Sequence, residues 1–78
     1  MKYVFSENNK RDIDTINIGA KLRLLRQFNH LSQREVAKSL GITRSAYSYY
    51  ELNVTRPSYE TLLQIASLYD VSLSFLLE

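Results

Sequence analysis

Residues 31–51 read LSQREVAKSLGITRSAYSYYE, a stretch that fits two helices with almost no chain between them. Ser32-Gln33-Arg34-Glu35 has the form of a capping box: the Ser32 hydroxyl accepts from the Glu35 amide, and the Glu35 side chain reaches back. Val36, Ala37 and Leu40 then share an inner face. Gly41 follows, and glycine tolerates the left-handed backbone that commonly ends a helix. Thr43 can cap a second helix that starts at once. It would turn Ala46, Tyr47 and Tyr50 inward and Arg44, Ser45, Ser48 and Tyr49 outward. So short a turn cannot lay the two helices antiparallel, so they must cross steeply. A steep crossing brings the backbones close, which explains a residue as small as Ala37. Val36, Leu40, Ile42, Tyr47 and Tyr50 fill the wedge.

The helical period extends to both sides. Upstream, Ile18, Leu22 and Leu25 fall at i, i+4 and i+7, one stripe of a helix whose other face carries Lys21, Arg23 and Arg26. Phe28-Asn29-His30 reads as its end. Downstream, the helix begun at Thr43 ends near Leu52-Asn53, where asparagine can take a positive φ. Pro57-Ser58 opens another helix, capped by Ser58 and buried along Leu62, Ile65, Ala66 and Tyr69. Ser72 can cap a last one in which Leu73, Leu76 and Leu77 or Phe75 pack back. Five short helices with brief connections make an all-α domain over residues 17–78. Residues 1–16 show no helical period. They suit a loose arm or a short strand through Tyr3, Val4 and Phe5, and the sequence does not choose between these.

Composition narrows the function. The chain has 78 residues, enough for one domain that buries about 60% of its unfolded surface. Cysteine is absent, so disulfides and thiolate metal sites are excluded, and His30 is the lone histidine. No nucleophile–base–acid set, phosphate-cradling glycine loop or cofactor motif is present, so no enzyme is expected. No apolar run approaches the roughly 20 residues that span a bilayer, and the first residues are too charged for a signal peptide. A cytoplasmic location follows by default. The net charge is +2, unevenly spread. Residues 17–57 carry Lys21, Arg23, Arg26, Arg34, Lys38, Arg44 and Arg56 against Glu35 and Glu51, a net +5, while residues 58–78 carry −3. A basic middle between a neutral start and an acidic end suits a surface turned toward a polyanion.

The pattern from about Ile18 to Leu77 resembles the phage repressor, Cro and Xre-type helix-turn-helix family. Gln33 stands at the family's glutamine, Ala37 at its small residue and Gly41 at its turn glycine. Thr43-Arg44-Ser45 matches its capped recognition-helix start, and Glu51 its terminal glutamate. RPSYETLLQIASLYDVSLSFLL, residues 56–77, resembles its fourth and fifth helices. The resemblance implies a five-helix, lambda-repressor-like DNA-binding domain with a short N-terminal arm. It also implies a docking geometry, with the second paired helix in the major groove and the first across the backbone.

Carried over by position, Thr43, Arg44, Ser45, Ser48 and Tyr49 face the groove. Gln33 touches a phosphate or a base at a helix N-terminus. Asn53, Thr55 and Arg56 meet the sugar-phosphate chain. Arg44 has the planar donor fork that suits guanine O6 and N7. Ser45 and Ser48 read bases less selectively, and Tyr49 offers a hydroxyl or a ring edge. Arg23 and Arg26 are further phosphate contacts whose rotation about their helix the sequence does not fix.

The partner implied is double-stranded DNA, bound by a homodimer on half-sites about 34 Å apart. Self-association would use the last helix, around Leu73, Phe75 and Leu76, or a strand at Tyr3–Phe5. Three departures from the family pattern stand out. Tyr47 replaces a branched aliphatic residue, so the wedge must be larger or the hydroxyl must reach the surface. Asn53 replaces a glycine, and Leu52-Val54-Thr55 thins the loop's charge. These leave room for an antitoxin or other protein-interaction module that keeps the fold and binds a protein partner.

Overall fold

The computed structural model describes residues 17–78, so the expected arm or strand over residues 1–16 lies outside the described residues. Five helices follow one another: α1 Ile18–Phe28, α2 Gln33–Leu40, α3 Arg44–Glu51, α4 Tyr59–Tyr69 and α5 Leu73–Leu77. Each opens on a residue whose short polar side chain satisfies an otherwise orphaned amide. Asn17 Oδ1 accepts from Ala20 at 2.9 Å. Both halves of the capping box form, Ser32 Oγ accepting from Glu35 N at 3.0 Å and Glu35 Oε1 from Ser32 N at 2.8 Å. Thr43, Ser58 and Ser72 cap α3, α4 and α5 as their chemistry predicts.

Gly41 ends α2 at φ 72°, as the turn requires. The other left-handed positions are occupied by side-chain-bearing residues: His30 at φ 58°, Asn53 at 61° and Asp70 at 57°. An L-residue there is strained, and at Asp70 a carboxylate also faces the negative end of the α4 dipole. Replacing Asp70 with glycine is therefore expected to stabilise the domain by roughly 1 kcal/mol, raising Tm by about 4–8 °C. An unchanged or lowered melting temperature would show that the residue earns its place by a contact of its own.

α1 and α2 both pack on α3, α4 lies against α2 and α5, and α5 returns to α1. The shared core holds Leu22, Leu25, Val36, Ala37, Leu40, Tyr47, Leu62, Ile65, Ala66, Tyr69, Phe75 and Leu76. Tyr50 and Ile18 pack at its edge, and Tyr50 meets Tyr47 edge-to-face at 6.2 Å.

Two expectations need correction. Lys21 is not on the outer face of α1 but fully buried. It lies three residues after Ile18 and four before Leu25, on the apolar stripe itself. Its ammonium donates to the main-chain oxygen of Phe75 at 2.9 Å and to that of Glu78, and stands 5.5 Å from the Phe75 ring centroid. Carbonyls at the end of α5 thus take the place of water around the charge. Second, Phe75 and Leu76 are core residues, leaving Leu77 as the exposed apolar residue of α5, so those two are not free for self-association. Of the two alternatives left open at Tyr47, a hydroxyl at the surface is the one that falls: the residue is 1% exposed. Its oxygen lies near the Glu51 carboxylate without a well-formed hydrogen bond, and burial pushes the phenol far above its ordinary value.

Candidate nucleic-acid interface

The outward face of α3 is built by period. Arg44, Ser45, Ser48 and Tyr49 fall at i, i+1, i+4 and i+5, adjoining positions on a helix that buries Tyr47 and Glu51 on its other side. Arg44 and Ser45 are exposed. Tyr49 is 46% exposed. Among the described residues Arg44 has no partner, so its donor fork is available outward. The Ser48 hydroxyl is half-buried and donates to the Ser45 carbonyl at 2.9 Å, leaving its lone pairs for an incoming donor. Thr43 is exposed, but its oxygen accepts from Ala46 N at 3.1 Å, so its first task is to start the helix.

Behind this face lies a polar cluster centred on Glu51. Its carboxylate accepts from Arg26 Nε at 2.6 Å and Nη2 at 3.2 Å, a two-pronged pair. Arg26 Nη1 also donates to the Leu31 carbonyl at 3.0 Å. Only 14% of the Arg26 side chain and 4% of the Glu51 side chain is exposed. The pair therefore ties α1, the α1–α2 turn and the end of α3 together, and Arg26 is not the solvent-facing phosphate contact that the sequence suggested. Burial acts to push the Glu51 carboxyl up. The Arg26 hydrogen bond, aided by the Tyr47 hydroxyl and Gln33 amide, outweighs that and holds it below its ordinary value.

Gln33 is drawn into the same cluster, Nε2 donating to Glu51 Oε1 at 3.1 Å. This fixes which way the amide points and leaves Oε1 and one N–H for an outside partner. Asn53 is exposed, yet its side chain is used internally. Oδ1 accepts from Gly19 N at 3.1 Å and Nδ2 donates to the α1 cap, Asn17, at 2.9 Å. Thr55 and Arg56 are exposed on the following loop, which is held by Val54 N donating to the Tyr49 carbonyl at 2.9 Å. Asn53, Thr55 and Arg56 line one depression with Ile18 and Val54, while Gln33 lines another with Glu51 and Leu52. The sequence reading named Glu51 only as a pattern match and missed its partners. The available signal was Arg26, four residues after Leu22 at the edge of the apolar stripe.

A helix pair joined through Gly41, a capped second helix with a bare outer face and three supporting helices is a recurring arrangement. The family model described as "Helix-turn-helix" matches residues 22–76. The chain belongs to the helix-turn-helix family. Within it, the sequence is 46% identical over 57 residues to the Bacillus subtilis protein named "Uncharacterized HTH-type transcriptional regulator YqaE", covering 73% of this chain and 49% of that one.

Two solved DNA-binding domains are similar in structure. The DNA-binding domain of the P22 C2 repressor superposes with a TM-score of 0.75 at 28% identity, covering 81% of this chain and 83% of that one. The N-terminal DNA-binding domain of SinR from Bacillus subtilis gives 0.71 at 31% identity, covering 78% and 90%. The chain spans about half the length of the curated relatives it matches first. The described residues are all-α. No helix among them is long and apolar enough to cross a membrane.

Proposed function

We propose that this chain is a sequence-specific DNA-binding transcriptional regulator, a repressor, with residues 17–78 as its DNA-binding unit. The observation that carries the reading is the outer face of α3, where Arg44, Ser45 and Tyr49 stand exposed on a helix anchored from behind by Tyr47 and Glu51. The N-terminal half of α3 enters the major groove, and Arg44 reads a guanine through O6 and N7. Ser45, Ser48 and Tyr49 complete the base-facing set. Thr43 and Gln33 meet the backbone or a neighbouring base, and Thr55, Arg56 and the main chain at Asn53 meet the sugar-phosphate chain. Similarity to a transcriptional repressor, RstR, from Vibrio cholerae supports the repressor reading. The protein acts by binding rather than catalysis, in the cytoplasm, as a homodimer on paired half-sites.

Selection from a random duplex pool tests this. The wild-type protein is expected to enrich a short motif. Arg44→Ala should bind that motif about tenfold more weakly, the low end of the 1–3 kcal/mol a bidentate contact carries, and tolerate any base at one position. If the wild type enriches nothing and every duplex binds with the same weak affinity, the fold serves a protein partner instead.

A further inference from the structure

The outward side of α1 carries a second apolar stripe. Ala20, Leu24 and Phe28 fall at i, i+4 and i+8, on the side of the helix opposite Leu22. Leu24 is 40% exposed and Phe28 43%, while Leu52, at the end of α3, is 67% exposed. Ala20, Leu24 and Leu52 come together in a groove of about 490 Å³ whose rim holds Arg23, Gln27 and Asn53. We propose that this groove seats an acidic amphipathic helix of a second protein, its apolar face on Leu24, Phe28 and Leu52 and a carboxylate at Arg23.

Two features select that occupant, and charge is the first. Arg23 is exposed, and no described residue pairs with it. Arg56, also exposed, lines the adjoining depression with Asn53 and Val54. Among the described residues lining the two depressions the only carboxylate is Glu51. Its side chain is 4% exposed and paired with Arg26, so the field over the groove is positive and the partner acidic. The second feature is the apolar floor. The outer edge of a duplex is a row of phosphates, which leaves three large neighbouring apolar side chains unmatched. A contiguous patch of this kind fits a protein surface. From Ala20 to Phe28 the stripe runs eight residues, about 12 Å at 1.5 Å each. That is two turns of a helix laid along it with anchors at i, i+4 and i+7. Leu52 and Val54, where the loop after α3 is poor in charge, thereby gain a use.

The groove shares Arg23, Gln27 and Leu52 with the depression that Gln33 lines. A helix seated in it stands beside Gln33, on the side that the proposed docking turns toward DNA. Partner and duplex therefore exclude each other, and the partner releases the regulator from its site. This exclusion rests on the proposed DNA-binding function; the groove and its occupant do not.

Panning a displayed library of random peptides on the whole chain tests the groove, with peptides of about 16 residues, about 24 Å as a helix. The expected winners carry Leu, Ile, Phe or Met at i, i+4 and i+7, flanked by Asp or Glu, and turn helical on binding. Leu24→Gln and Leu52→Gln should each weaken the best winner about tenfold, as the loss of an apolar anchor does. Arg23→Glu should weaken it at least about tenfold near 0.1 M salt and less near 1 M, where charges are screened. Leu63→Gln, on α4 in a different depression, should leave it unchanged. Glutamine is nearly as good a helix former as leucine, so the glutamine variants should melt with the wild type. The best winner should also displace a duplex selected by the wild-type chain. Winners unmoved by Leu24→Gln and Leu52→Gln, winners without acidic residues, or no winners at all overturn the proposal. A wild-type dimer in sedimentation that Leu24→Gln breaks also overturns it, because a second copy then fills the groove. A wild type that binds the winner and the selected duplex at once overturns the exclusion and leaves the groove. A wild type that selects no duplex, yet binds the winner through Leu24 and Leu52, overturns the regulator and supports the groove.

Discussion

Glu51→Ala is expected to destabilise the domain by about 3 kcal/mol, because it leaves the Arg26 guanidinium largely buried without its counter-charge. An exposed ion pair would be worth at most about 1 kcal/mol. Here two hydrogen bonds, at 2.6 and 3.2 Å, and a third from Gln33 all end on one carboxylate. Denaturant titration of the variant gives the number directly. A loss under about 1 kcal/mol would mean that water reaches the pair and the surface estimate applies. Replacing both partners, Arg26→Met with Glu51→Leu, should recover much of the loss, since apolar packing can substitute for a buried pair once neither charge is stranded.

The same carboxylate makes stability depend on pH. Glu51 is held below its ordinary 4.5 in the folded protein, so its contribution is complete above that value. It disappears as pH falls through the lower, folded-state value. Glu35, pulled down by the Ser32 amide and hydroxyl in the capping box, adds to the acid loss in the same direction. In Glu51→Gln the decline in stability below pH 4.5 should be shallower than in the wild type.

Gly19→Ala should cost about 2–3 kcal/mol, where the same change inside an ordinary helix gains about 0.8–1.0 kcal/mol. The sign reverses because of where α1 crosses the end of α3. A Cβ on Gly19 would stand 2.5 Å from the main-chain oxygen of Glu51 and 2.7 and 2.8 Å from the Asn53 amide nitrogen and oxygen. The nearest atom is backbone, which cannot swing aside as a side-chain tip can. α1 would have to lift, stretching the Gly19–Asn53 hydrogen bond and the Arg26–Glu51 pair together. A melting temperature equal to or above the wild type would show that the crossing is loose enough to accept a methyl group. Since the crossing holds the end of α3, the variant should also bind the selected duplex more weakly than its loss of stability alone explains.

Much of this protein is legible from neighbouring residues. Ser32 with Glu35, Thr43 with Ala46, Ser58 with Thr61 and Ser72 with Phe75 are pairs three apart. The caps they form depend only on local backbone geometry, so helix starts follow from the order of residues. Gly41 and Asn53 mark their turns by the φ they tolerate. The apolar stripes of α2 and α4 are equally local. Local order therefore determined the five helices, their order and the outward face carrying Arg44.

What tertiary structure alone decided concerns polar residues whose partners are distant in sequence. Lys21 reaches Phe75 across 54 residues, Asn53 reaches Gly19 across 34, Arg26 reaches Glu51 across 25 and Gln33 reaches Glu51 across 18. Helical period says which residues share a face, but not which residue from another helix will stand opposite. A lysine on an apolar stripe looks misplaced until the carbonyl end of α5 is packed against it. Two arginines three apart on α1 look alike until one meets Glu51 and the other is left facing outward. The cost of stranding a buried charge or amide makes these pairings obligatory once the helices pack, and packing is the information that residue order alone does not display.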